Sequence, residues 1–394
     1  MNSNSPKSKN LSIAILGTRG IPANYGGFET FAEELSTRLT ERGHKVTVYG
    51  RRFSFSSPKY DSYKNVTIVN TITVKHKYLE TPIHAISSNL DLLFRKIKSK
   101  LTNEDFYDVA LLCNAANSPF AWIINACLLP LAINVDGIER FRTKWNKIGK
   151  LWYRVGEIAS CIFATKVIGD ADVICEYYRD TYKTESIMIP YGANIVKTNK
   201  QEILETLNIR KNNYALYVSR LEPENNALGV IDAYKILHSK YPNLEIPPLV
   251  IVGDAPYADE YKNLLRQSAK GYNVIFAGFQ FGSNYHQLRS HCLIYIQATE
   301  VGGTHPALVE GLAYGNPTIV NGTPENIEVV ADAALIYEKN NFNDLAEKIY
   351  QLLYNPELRE QLAIKGQTRC DHKYSWSKVV KDYEALFLSL AKDD

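Results

Sequence analysis

Residues 302–310 read Gly-Gly-Thr-His-Pro-Ala-Leu-Val-Glu and lie where an apolar run, Leu293 to Ile296, gives way to a helical pattern. A turn of this kind presents free backbone N–H groups at the positive end of a helix dipole, a setting that suits a phosphate. Gly302 and Gly303 keep that backbone approachable, and Thr304 and His305 bring donors for phosphate or sugar oxygens. His305 stands between two glycines and a proline in a loop, which favours a ligand-facing role over a core one. Glu310 follows one helical turn inside, where a carboxylate accepts hydrogen bonds from sugar hydroxyls. Phosphate and hydroxyl recognition in one stretch point to a phosphorylated sugar compound, best matched by a nucleotide-sugar.

Three other segments carry chemistry. Gly17 to Glu29 (GTRGIPANYGGFE) follows the first apolar run and contains Gly26 and Gly27, so its backbone can approach a ligand closely. It does not match G-x-G-x-x-G, and the next strand ends in Gly50-Arg51-Arg52, not in an acid for a ribose 2′-hydroxyl, which disfavours NAD. An NADP-linked oxidoreductase stays open, since arginine meets a 2′-phosphate; a plain glycine turn is the structural alternative. In Val135 to Trp145 (VDGIERFRTKW), Asp136 and Glu139 are candidates for binding sugar hydroxyls or taking a proton from an acceptor hydroxyl. Arg142 and Lys144 are candidates for a phosphate. A helix start capped by Asp136, with Arg142 in solvent, explains the same residues equally well. In Val218 to Asn226 (VSRLEPENN), Arg220 offers a planar fork to a diphosphate; a surface ion pair with Glu222 or Glu224 is the bland alternative. Asp170-Ala171-Asp172 is read as a turn or cap, with metal binding the minor alternative.

The elements that must position these residues alternate. Leu11 to Gly17 reads as a buried strand, Phe28 to Leu39 as a helix stopped by Gly43, and His44 to Gly50 as the next strand. Further strands are expected at 66–70, 109–113, 133–135, 167–168 and 187–189. A second series is expected at 214–218, 249–253, 274–276, 293–296 and 318–320. The expected fold is α/β, with two doubly wound Rossmann-like domains facing a central cleft. The domains are a disordered tail at 1–10, an acceptor-side domain at 11–190, a nucleotide-sugar-binding domain at 191–372 and a C-terminal segment at 373–394.

At 394 residues, 45% hydrophobic and 22% charged, the chain has the size and composition of a soluble two-domain protein. Its six cysteines include no C-x-x-C pair, so neither a disulfide framework nor a zinc site is indicated and a reducing cytoplasm fits. The N-terminal MNSNSPKSKN lacks a signal-peptide core, and the apolar run from Val109 to Val135 is too interrupted by Asn and Pro for a membrane span. Residues 1–195 hold 25 Lys/Arg against 18 Asp/Glu, whereas residues 196–394 hold 20 against 24, so the first half is the one to meet an anionic surface. Leu90 to Leu101, apolar on one side with Arg95, Lys96, Lys98 and Lys100 on the other, is a candidate for lying on a membrane; a sheet-covering helix with a solvated basic face is the alternative.

TRGIPANYGGFET, VDGIERFRTKW, RLEPENN and GGTHPALVEG, taken in order, resemble GT-B retaining glycosyltransferases of family 4, and more narrowly a bacterial branch containing rhamnosyltransferases of cell-wall and capsule assembly. The resemblance covers roughly residues 11 to 390. It implies that Glu310 holds the nucleotide's ribose and that Arg220 supplies the arginine of the phosphate loop. Asn225 stands where the family has lysine, and Gly302 where it has a first glutamate that touches the transferred sugar. Asp136 takes about the place of a sugar-contacting histidine, and Glu222 or Glu300 are carboxylates able to assume lost roles. Tyr374-Ser375-Trp376 resembles the start of a C-terminal helix that crosses back to the first domain.

The function so implied is retaining transfer of a hexosyl group, L-rhamnose from dTDP-rhamnose, to a lipid-linked saccharide in cell-surface polysaccharide synthesis. Asp136, Arg220 and His305 are the expected catalytic residues. Gly26, Gly27, Asn225, Gly302, Gly303, Thr304 and Glu310 are expected to bind the donor, and Glu139, Arg142 and Lys144 the acceptor. No metal or cofactor is required in this scheme, and no nucleic acid is expected as a partner. A cytoplasmic protein in peripheral contact with the anionic inner face of the cell membrane is expected. The alternatives are a UDP- or GDP-sugar donor, a non-catalytic nucleotide-sugar-binding partner, and an NADP-linked oxidoreductase.

Overall fold

Short β-branched and apolar runs separated by amphipathic stretches leave little choice but strands buried on both faces by helices. The computed structural model describes residues 10–23, 27–52, 61–76, 78–142, 145–193, 195–255 and 258–392. The chain divides into two compact units. One runs through Arg140, takes in Trp145–Pro190 and regains the chain from Trp376 onward; the other comprises Tyr191–Ser375 together with Phe141 and Arg142.

The first unit holds β1 (Ser12–Leu16), β2 (Lys45–Arg52), β3 (Ser62–Tyr63), β4 (Val66–Ile72), β5 (Val109–Cys113), β6 (Leu131–Asn134), β7 (Lys166–Gly169) and β8 (Ser186–Met188). They form one eight-stranded sheet in the order β3-β4-β2-β1-β5-β6-β7-β8. Its pairings are parallel except β3 on β4. The second unit holds β9 (Ala215–Val218), β10 (Leu249–Val252), β11 (Val274–Gly278), β12 (Ile294–Gln297), β13 (Thr318–Asn321) and β14 (Leu335–Tyr337). They form an all-parallel six-stranded sheet, β11-β10-β9-β12-β13-β14.

Both orders reverse once. In the first sheet the chain builds outward from β1 in one direction and from β5 in the other; in the second it does so from β9 and from β12. The crevice outside the carboxyl ends of such a strand pair is where doubly wound sheets bind ligands. The Gly17 loop leaves β1, the Arg220 loop leaves β9, and the Gly302–His305 loop lies between β12 and the helix Pro306–Tyr314.

Strands β3 and β14, two and three residues long, carry too little periodicity to be read from sequence. The run after β5 folds as a 3-10 turn, Ala115–Phe120, and a four-residue helix, Trp122–Asn125. The helix start considered after Asp136 is absent: only a 3-10 turn, Glu139–Phe141, follows, and Asp136 itself has φ +59°. All six cysteines are free. The C-terminal helix Trp376–Leu390 packs within the first unit, where Trp376 and Tyr383 lie 6.3 and 5.4 Å from the Phe31 ring. Glu384 on that helix pairs with Arg42, and its Oε1 lies 2.9 Å from His44 Nε2.

Candidate active site

In the second unit the two loops at the strand-order reversal are tied together. Asn225 donates its side-chain amide to the backbone oxygen of Arg220 at 2.7 Å, and Tyr217 donates to the backbone oxygen of Asn225 at 2.6 Å. Asn225 therefore shapes the loop that carries Arg220. The backbone N–H of Glu300 donates to the backbone oxygen of Glu224 at 3.0 Å, joining the loops after β9 and β12. The Asn226 side chain adds a bond to the oxygen of Ala298 at 3.0 Å. Buried backbone polar groups need partners, so these links hold two otherwise irregular loops in fixed positions.

The helix Pro306–Tyr314 starts with proline at its first position and His305 as N-cap, and no side chain caps it. Its first N–H groups are thus the ones a phosphate would meet. Gly302 and Gly303 are buried just before it, as is Thr304. A Cβ at Gly302 would lie 2.5 Å from His305 Cε1, so no larger residue fits without moving the ring. Burial lowers the His305 pKa to about 3, with Arg142 and Arg220 adding to the shift, so the ring is neutral at physiological pH.

Glu310 is held by residues that sequence reading overlooked. Tyr285 donates a short hydrogen bond to Glu310 Oε2, and Arg289 Nε donates to the Tyr285 hydroxyl at 2.9 Å. Arg289 is fully buried, bonds the oxygen of Ala307 at 2.7 Å, and lies over the Tyr295 ring at 4.2 Å. Burial raises the Glu310 pKa above the ordinary carboxylate value, with Arg289 and the Tyr285 hydrogen bond opposing it. Tyr285 is 25 positions from Glu310, a separation at which no sequence periodicity links two residues. Proximity in space was the only signal available.

Arg142, expected on the acceptor side of the first domain, is placed by the structure in the second unit. Its guanidinium is buried, 3.7 Å from Glu222 and 3.9 Å from Glu224. Arg220 is 40% exposed at its side chain, with only a loose 3.9 Å approach to Glu222, and so is open to a ligand. Arg142 and Arg220, with neutral His305 as a hydrogen-bond donor, lie beside an uncapped helix N-terminus, a constellation suited to a diphosphate.

In the first unit Gly17 has φ +87°, and a Cβ there would fall 2.2 Å from the backbone oxygen of Cys113, so only glycine lets β1 end against β5. Asn117 bridges the same junction, donating to the oxygens of Gly17 and Cys113 at 3.2 and 2.7 Å. Glu29, a buried carboxylate with no role assigned from sequence, accepts from the backbone N–H of Arg19 at 3.0 Å; burial raises its pKa and Arg19 opposes. Asp136 donates its backbone N–H to Asn134 Oδ1 at 2.9 Å, and Asn134 donates to the Tyr383 hydroxyl of the C-terminal helix at 2.8 Å. A left-handed aspartate held this firmly at a strand end is a functional candidate. Glu139 accepts from Trp145 Nε1 at 3.2 Å. Gly27 opens the helix Gly27–Glu41, whereas Gly26 and Lys144 lie outside the described residues.

Arg51, the side chain that kept NADP open, is only 8% exposed at its side chain and is paired with Glu80, which leaves it poorly placed for a 2′-phosphate. Asp170 is buried, and Asp172 sits in the first turn of the helix Asp172–Tyr182. Among the described residues no three His, Cys, Asp or Glu side chains converge as a metal-holding group.

Comparison with known proteins places these two sites in context. Residues 199–369 match the model of glycosyl transferases group 1, and residues 10–194 match a domain of unknown function, DUF1972. An uncharacterized glycosyltransferase of Methanocaldococcus jannaschii is 26% identical over 375 residues, covering 92% of this chain and 95% of that protein. A lipopolysaccharide 1,2-N-acetylglucosaminetransferase of Salmonella typhimurium is 27% identical, covering 56% of this chain and 61% of its own length. Among solved structures, sucrose-phosphate synthase of Thermosynechococcus elongatus superposes with a TM-score of 0.80 at 16% identity, covering 98% of this chain and all of that one. That likeness shows the fold, which is GT-B.

Proposed function

We propose that this glycosyltransferase of GT-B fold, whose second unit is a group 1 glycosyl transferase domain, moves L-rhamnose from dTDP-rhamnose to a lipid-linked saccharide in cell-surface polysaccharide synthesis. The observation that carries the reading is the site around the helix Pro306–Tyr314: an uncapped N-terminus, Arg220 open beside it, and Glu310 fixed one turn inside.

In this reading the N–H groups of Gly303 to His305, with Arg220, bind the donor diphosphate and stabilise the charge that grows on it as the glycosidic bond breaks. One well-placed donor of this kind is commonly worth about 3 kcal/mol. Arg142 anchors the same loop beside Glu222 and Glu224, and Asn225 holds Arg220's backbone. Neutral His305 donates a hydrogen bond without competing for the phosphate's proton. Glu310, oriented by Tyr285, accepts from the nucleotide's ribose hydroxyls. Among the residues of the first unit, Gly27 is assigned to donor binding, and Asp136 and Glu139 to the acceptor or its hydroxyl proton. Gly302 supports the rhamnose assignment: no carboxylate reaches the transferred sugar there, and a 6-deoxysugar presents one hydroxyl fewer. Retention follows from same-face attack, in which the leaving phosphate takes the acceptor's proton and no protein nucleophile is needed. The reaction needs no metal, and activity that survives EDTA is the expected result.

A thermal-shift panel of dTDP-rhamnose, UDP-glucose, GDP-mannose and NADPH tests the assignment. Stabilisation by dTDP-rhamnose above the others is expected. Stabilisation by a UDP- or GDP-sugar alone would replace the donor, and by NADPH alone would replace the class.

A further inference from the structure

Two helices of the first unit expose one unusual pattern. In the helix Lys147–Phe163 every exposed side chain is aliphatic or cationic. Ile148, Leu151, Val155, Ile158 and Ile162 recur at helical spacing as one stripe, with Ile148 75% and Ile162 66% exposed. Lys147, Lys150 and Arg154 border it on one side. The single acid of this helix, Glu157, is buried and accepts hydrogen bonds from Tyr177, Tyr182 and Arg140 at 2.8, 2.6 and 3.2 Å. The helix Glu80–Thr102 carries a second stripe. Ile86, Leu90, Phe94, Ile97 and Leu101 are exposed, beside exposed Lys100, Arg95, which pairs with Asp91, and Lys98, which pairs with Glu104.

The two stripes open on one side of the unit. Asn89 donates to the oxygen of Phe120 at 3.0 Å and Trp152 to the oxygen of Ala116 at 3.1 Å, so both helices pack on the segment 115–125. Leu92, Ile124 and Phe163 share one core cluster on one face of the sheet. Trp122, on the segment they flank, is 54% exposed. Next to it Pro119, Val155, Ile158, Ala159, Ile162 and Phe163 line an open, wholly apolar hollow.

Scattered exposed apolar residues are ordinary, but a contiguous patch bordered by cations marks an interaction surface. A second copy of this chain would bring like charges together, which disfavours it. An anionic bilayer supplies both apolar depth and opposite charge, and no helix among the described residues is long and apolar enough to cross it. We propose that the helices Glu80–Thr102 and Lys147–Phe163 form one docking face that lies flat in the headgroup region of an anionic membrane. Its biological role rests on the lipid-linked acceptor of the proposed function; its geometry does not.

The test is co-sedimentation of the full chain with vesicles of phosphatidylcholine, with and without phosphatidylglycerol. Binding to the anionic vesicles, weakened by salt, is expected. Lys147→Gln with Lys150→Gln should cost about fivefold in partitioning per cation, and Leu151→Ser with Ile158→Ser at least about tenfold. Because these side chains are exposed, circular dichroism should be unchanged, as should the thermal shift from dTDP-rhamnose. Loss of that thermal shift in the wild type with vesicle binding intact would sink the proposed donor and leave the docking face standing. Wild type that ignores anionic vesicles, or variants that bind them as well as wild type, would overturn the docking face. So would a change of oligomeric state in the Leu151→Ser, Ile158→Ser variant without lipid, which would mean a second copy covers the stripe.

Discussion

Arg220 is the side chain on which the proposed chemistry depends most, because it is exposed at a strand-order reversal and its backbone is fixed by Asn225. Arg220→Ala should lower kcat by about 10²–10³-fold with an unchanged melting curve; near-normal turnover would remove it from the phosphate site. Tyr285 was not legible from sequence, since only folding brings it to Glu310. Tyr285→Phe removes a hydroxyl that serves both Glu310 and Arg289, and should raise the donor KM about 5- to 10-fold while kcat stays within about twofold. An equal fall in kcat would place the tyrosine in the chemical step instead. Glu310 allows a test with opposite signs. Its folded pKa is raised, so the folded state binds this proton more tightly and ionisation at neutral pH disfavours folding. Glu310→Gln should therefore raise Tm by about 1–3 °C at pH 7 while abolishing most of the donor-induced shift; a lowered Tm with donor binding retained would contradict both roles.

At the scale of elements, strand identities were legible because each is a short β-branched run between turn residues, as in Ser12–Leu16 and Leu249–Val252. Their order was not, since nothing local states that β5 pairs with β1 or β12 with β9. That order is what converts four loops into two sites. The helix Lys147–Phe163 escaped notice for a related reason: its apolar period resembles that of a buried helix, and only the structure shows the stripe facing out. Asp136 shows the reverse case, a residue singled out from sequence that lies in a left-handed turn and is not a helix cap. The C-terminal helix offers an element-scale prediction. Arg42 holds the folded pKa of Glu384 below its ordinary value of 4.5, with His44 assisting. Its contribution is then complete above that value and is lost as pH falls through the lower folded pKa. Glu384→Gln should destabilise the protein by about 1–2 kcal/mol at pH 7, and the two stability curves should converge in acid; a gap that persists at low pH would assign the effect to packing.

At the scale of the whole molecule, composition and charge asymmetry pointed to two domains with a basic first half, and Arg95, Lys98, Lys100, Lys147, Lys150 and Arg154 of that half are exposed beside two apolar stripes. The diphosphate and ribose contacts proposed for Arg220, Gly303 to His305 and Glu310 and the proposed docking face belong to separate units, so each can be disabled without the other. The fold class was legible because the alternation of strand and helix runs the length of the chain. The donor sugar is read from a single missing side chain at Gly302 and bears the heaviest weight in the account. The most direct measurement is release of nucleoside diphosphate from labelled dTDP-rhamnose, UDP-glucose and GDP-mannose by the full chain, with and without an extract of lipid-linked saccharides. Consumption of dTDP-rhamnose is expected, faster with the extract, with the signal abolished in Arg220→Ala. A wild-type protein that binds dTDP-rhamnose but consumes none of the three donors would contradict it.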